Sequence, residues 1–220
     1  MSYPLRANSL RLLLLATFAS GFAAPCLAQT AATSSTAGPA IDGFRSAKFG
    51  MSEAQVRNAI ESDFNLSASA ISEAENPVQR TTVLTVAVPN LVPDDGIAVA
   101  NYVLGYQSHK LVQVSIVWSP EIDPKITPGM LYQNGQSLQQ YFAGEGFPAS
   151  RSSGEIPMPN GEILFRATDT TGNEVGLILS GAISKDSKTG KSTVDLTALT
   201  LTYATDPMHP DVFQLAKGSF

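Results

Sequence analysis

The sequence predicts an α+β protein built as two similar rounds, each a helix followed by a three-stranded antiparallel meander, with the helices packed on sheet. Three observations lead there: an explicit helix start at residue 52, a switch to two-residue alternation after residue 80, and the same order of elements about 78 residues later. That shift places Ile60 over Leu138 and Phe64 over Phe142, so the two rounds read as one unit used twice, 42–124 and then 125–220 with a C-terminal tail.

The first helix is specified locally. Ser52 stands at the N-cap with Gln55 three residues on, the capping-box spacing, and Met51 and Val56 are placed as a hydrophobic staple. Glu53 sets a carboxylate in the first turn, where the helix dipole favours it. Val56, Ala59, Ile60 and Phe64 then form one apolar stripe, so this helix must lie on something. Leu66, Ala70 and Ile71 suggest a second short helix over 66–75, stopped by Asn76 and Pro77.

The strands follow from alternation. Residues 81–88 put Leu84, Val86 and Val88 on one face, 97–106 put Tyr102, Leu104 and Tyr106 together, and 110–119 align Val112, Val114, Ile116 and Trp118. The run from Pro93 to Gly96 marks a turn. Thr127 and Pro128 open the second helix, whose stripe is Leu131, Leu138, Tyr141 and Phe142, interrupted by Gly135. Strands at 162–168, 174–181 and 192–204 complete the second round, with a loop at 184–191. In the last strand Val194 and Leu196 share one parity and Leu199, Leu201 and Tyr203 the other, which requires a bulge near Thr197 or Ala198.

Residues 1–28 read as a signal peptide: Arg6 and Arg11, then an apolar stretch too short to span a bilayer with comfort, then Cys26, Leu27 and Ala28 as a cleavage site. Gln29 is the expected new N-terminus, and 29–41 a disordered tether of small polar residues. Pro25 before Cys26 departs from a lipidation signal. Cleavage would remove the one cysteine, leaving no disulfide or thiol chemistry, and would leave 12 basic against 19 acidic residues. An acidic exported chain, periplasmic or secreted, is a poor partner for nucleic acid or an anionic membrane surface.

The run Phe49, Gly50, Met51, Ser52, Glu53, Ala54, Gln55, Val56 resembles the opening of the small outer-membrane lipoprotein of the bacterial barrel-assembly machinery and its relatives. That resemblance implies helices on a three-stranded antiparallel sheet, a unit of which the beta-lactamase inhibitor protein uses a related form twice. Segments such as 80–86 and 104–118 are similar to those of a family of uncharacterised exported alphaproteobacterial proteins, which implies periplasmic residence and no known chemistry.

No catalytic constellation stands out. His109 falls in a turn and His209 in the tail, too isolated for a metal site, and no G-x-S-x-G elbow or phosphate loop occurs. The expected function is therefore a non-catalytic, protein-binding or envelope-accessory module, not an enzyme, without metal or cofactor, meeting an envelope protein through an exposed sheet face or its loops. The alternative is a carrier that holds a small apolar ligand between helix and sheet against Tyr102, Tyr106 and Trp118. An inhibitor like the beta-lactamase inhibitor protein would need a sheet face rich in exposed aromatics, whereas the exposed positions here are mostly Thr, Ser, Gln and Asn.

Overall fold

The computed structural model describes residues 38–93, 96–185, 192–215 and 218. The expected signal peptide at 1–28, most of the expected tether at 29–41, positions 94–95 and most of the expected loop at 184–191 lie outside the described residues.

The arrangement overturns the expectation of two similar rounds, each one helix followed by a three-stranded meander. Among the described residues there are two α-helices and one antiparallel sheet of nine strands, to which both halves of the chain contribute. A two-stranded hairpin, β1 (Gly43–Phe44) and β2 (Ala47–Lys48), leads into α1 (Glu53–Phe64). Then come β3 (Ser72–Glu75), β4 (Thr82–Pro89), β5 (Ile97–Leu104), β6 (Leu111–Trp118) and α2 (Pro128–Gly144). The sheet is completed by β7 (Ser152–Ser153), β8 (Ile156–Met158), β9 (Gly161–Thr168), β10 (Glu174–Lys185) and β11 (Ser192–Ala204). The strand order is β3-β4-β5-β6-β11-β10-β9-β7, with β8 also on β9. The join between halves is β6 to β11, with Ile116 opposite Leu201 and Trp118 opposite Leu199. Alternation told which side chains point inward, but not which strand edges pair, so a shared sheet was not legible in it.

The expected helix at 66–75 is also corrected. A single 3-10 turn, Ala68–Ala70, is followed by edge strand β3, which pairs Ser72 with Thr85 and Glu75 with Thr82. All four β3 side chains are exposed, so no apolar alternation announced it. Its Glu73 is held by Arg57 of α1.

Local signals elsewhere set the geometry. At the α1 start the Gln55 Oε1 accepts from the Ser52 N–H at 2.9 Å and from its hydroxyl at 3.0 Å. In α2 the Thr127 hydroxyl oxygen accepts from the Met130 N–H at 3.2 Å, with Pro128 in the first turn. Gly135 does not break α2; it is buried, and a Cβ there would lie 2.7 Å from Leu164 Cδ1. Its missing side chain lets the helix sit close on the sheet. The bulge required in the last strand falls at Thr197, between the pairs Ser180–Ala198 and Gly181–Leu196. A further bulge at Val112 turns Leu111, not Val112, into the core.

One sheet face carries the core. Inward rows run Leu84, Tyr102, Val114, Tyr203, Val175 and, one step along, Val86, Ala100, Ile116, Leu201, Leu177. Val56, Ala59 and Ile60 of α1, and Leu131 and Phe142 of α2, are buried in the same cluster. Both helices therefore cover one face and leave the other open, with α2 lying on β9, β10 and β11. Among the described residues no helix is long and apolar enough to cross a membrane.

Candidate functional site

Two features follow from this one-sided packing: an open outer face and an inner cleft. On the outer face, pairing aligns Ser72, Thr85, Asn101, Ser115 and Thr202 in one row across β3, β4, β5, β6 and β11. The next row on one side is Ala74, Val83, Val103, Gln113 and Ala204, and on the other Ala87, Val99, Val117 and Thr200. None of these side chains is charged or aromatic and most are half-buried; at the Val103, Gln113 and Ala204 end the face borders Pro207, Pro210 and Val212 of the tail. Thr85 donates its hydroxyl to Asn101 Oδ1 at 2.8 Å, so part of the polar row is already satisfied within the sheet. The first charges met along these rows are Arg166 of β9 and Glu174 of β10, which pair with each other. Open antiparallel faces ordinarily alternate toward charged, well-solvated residues; this one stays uncharged over five strands. At strand spacings of about 4.8 Å and about 3.4 Å per residue, the uncharged patch covers roughly 450 Å².

The cleft lies on the inner face. Its floor is Ile116 and Trp118 of β6 with Leu201 and Tyr203 of β11. Leu138, Tyr141 and Phe142 of α2 form one wall, Phe44 and Arg45 at the tip of the β1–β2 hairpin the other, and Leu91 and Val92 close an end. Its volume is about 230 Å³. Phe44 meets Tyr203 at 5.7 Å between centroids, Tyr203 meets Phe142 at 6.4 Å, and Phe142 stacks on Phe165 at 5.5 Å. Burial pushes the Tyr203 hydroxyl well above its ordinary pKa, and the charges of Tyr141 and Glu145 push it the same way. It stays a neutral hydroxyl at any physiological pH.

The hairpin that supplies Phe44 and Arg45 is anchored from both sides. Buried Asp169, in the β9–β10 turn, accepts the Ile41 N–H on Oδ2 at 2.9 Å. Its Oδ1 accepts the Thr171 N–H, the Thr171 hydroxyl and the Asn173 N–H at 2.8, 2.7 and 3.0 Å. Burial raises the Asp169 pKa, but these hydrogen bonds together outweigh it and hold the carboxyl below its usual range. On the α1 side Asp63 accepts the Ser46 N–H and hydroxyl at 3.1 and 2.7 Å.

The three aromatic residues singled out in the sequence are not brought together. Trp118 lines the cleft. Tyr102 is wholly buried in the core, its hydroxyl without a hydrogen-bond partner and its pKa pushed up by burial. Tyr106 lies at the far end of β5, edge-on to Phe213 at 5.5 Å, where its N–H donates to the Asp211 carbonyl at 2.9 Å. The tail is thereby strapped across the β5–β6 turn, with the Arg80 guanidinium 3.9 Å from the Phe213 ring centroid. His109 is exposed in that turn, and His209 is exposed and 3.0 Å from Asp206. Among the described residues no three His, Cys, Asp or Glu side chains gather into a metal-ligating group.

Sequence reasoning missed Phe44 and Arg45. They stand in a two-residue strand and its turn, too short for any periodicity, and only their approach to Tyr203 reveals them. Compared with protein-family models, with curated proteins and with solved structures, the chain matches none.

Proposed function

We propose that this protein is a non-catalytic, protein-binding accessory of the bacterial envelope, exported by residues 1–28, that receives a partner protein on the outer face of its sheet. The observation that carries this is the uncharged patch spanning β3, β4, β5, β6 and β11. Charged residues are what interface cores lack, and an acidic chain leaves such a patch bare only at a cost in solubility. A facing surface of equal size would bury about 900 Å² in total, the size of a weak, transient encounter. The absence of aromatic anchors and the small side chains fit a partner that is itself flat and uncharged, a second sheet face above all.

The test is capture of the chain 29–220 from cross-linked envelopes, run beside Val117→Lys with Thr202→Lys on the outer face and Val78→Lys on an exposed loop. The proposal expects one reproducible protein, retained by the loop variant and lost from the face variant. Equal capture by all three overturns it. Recovery of a second copy alone turns the face into a self-association surface and overturns the accessory role.

A second function, carriage of a small apolar molecule, is favoured by the cleft over Trp118. In it Tyr102 and Tyr106 take no direct part.

A further inference from the structure

The cleft is apolar on its floor and on its α2 wall, yet one lining side chain is permanently charged. Arg45 sits at the hairpin tip, in the left-handed backbone region at φ 52°, with its guanidinium 4.8 Å from the Phe64 ring centroid and 5.7 Å from that of Phe44. One of its donors is used, Nη1 to the Asp63 carbonyl at 3.1 Å. The Asp63 carboxylate is already engaged by the N–H and hydroxyl of Ser46. Among the described residues Arg45 takes part in no ion pair. A guanidinium has five N–H donors in a planar fork that matches a carboxylate. Two aromatic rings hold this one at the mouth of an apolar cleft, with most of its donors uncommitted.

Volume narrows the occupant. A dry cavity of about 150 Å³ takes benzene, and drug-sized sites begin near roughly 300 Å³. At about 230 Å³ the cleft suits a single medium-length chain or a small aryl group. Two acids lie near its rim: Asp63, whose carboxylate binds Ser46 next to Arg45, and Glu145, which interacts with Tyr141 on the α2 wall. Together they disfavour an occupant with more than one negative charge.

We propose that the cleft binds a small amphipathic monocarboxylate, its chain or ring between Phe44, Leu138 and Tyr141, above the buried Trp118, and its carboxylate on the Arg45 guanidinium. This rests on the carrier function and adds the charge of the cargo to it. The outer face lies on the opposite side of the sheet and is independent of it.

Trp118 is the one tryptophan of the chain, so its emission reports on the cleft directly. The experiment titrates the protein with decanoate, decanol and decyltrimethylammonium, then repeats the series with Arg45→Gln, its fold checked by circular dichroism. Saturable change with decanoate is expected, with decanol roughly fivefold weaker or more and no binding of the cation. Arg45→Gln should weaken decanoate to the level of decanol and leave decanol unchanged. Equal affinity of decanoate and decanol, or of Arg45→Gln and wild type for decanoate, overturns the carboxylate proposal while the carrier function stands. No saturable change with any of the three overturns both.

Discussion

Replacing Asp169 by Ala removes the acceptor for three backbone N–H groups and one hydroxyl at once. The Thr171 N–H lies in an exposed turn and that of Asn173 is half-exposed, so water replaces much of what they lose, at about 0.5–1 kcal/mol each. Ile41 is buried at 4 % exposure, and its stranded N–H costs about 2 kcal/mol. The expected loss is about 3 kcal/mol. With a urea slope of about 2 kcal/mol/M, the midpoint followed by Trp118 fluorescence falls by about 1.5 M, with the slope unchanged. Asp169→Asn keeps Oδ1 as acceptor but turns an amide N–H toward that of Ile41, so its cost should be about half. The pH sign also follows. The folded carboxyl lies below its usual range, so its contribution is present above about pH 4 and is lost as pH falls through the folded value. Wild type should lose stability on acidification below about pH 4 by an amount that Asp169→Asn does not show. A loss under about 0.5 kcal/mol for Asp169→Ala would refute the idea that this carboxylate pins the hairpin.

Tyr102→Phe removes a fully buried hydroxyl that has no partner, so thermal unfolding should show it neutral or more stable by about 1 kcal/mol; a clear loss would mean that the hydroxyl is satisfied. Gly161 has φ 145°, and a Cβ there would lie 2.2 Å from the Leu179 carbonyl oxygen, inside the β9–β10 ladder. Gly161→Ala should therefore cost about 3 kcal/mol or more in urea unfolding, and a near-neutral result would contradict the ladder at that point.

What could be read from the sequence was set by short-range chemistry. The α1 cap, Pro128 at the α2 start, the inward rows of β4 and β5 and the bulge at Thr197 all depend on residues within a few positions of one another. The join of β6 to β11 depends on strands some 80 residues apart, and nothing in Ile116 or Leu201 names the other. Edge strand β3 was invisible because an edge needs no apolar face; Glu73 and Glu75 serve α1 and solvent instead. The cleft was half visible. Trp118, Tyr141 and Phe142 carried an aromatic signal, whereas Phe44 and Arg45 acquire their role only when the hairpin folds over β11.

The uncharged outer face is the central claim, and the most direct test is site-specific photocross-linking in living cells. A photoreactive residue at Ser115, within the polar row, is compared with one at exposed Ser137 on α2. A single defined protein adduct from position 115 and none from 137 is the predicted result. No adduct at 115, or the same adducts at both positions, would contradict it.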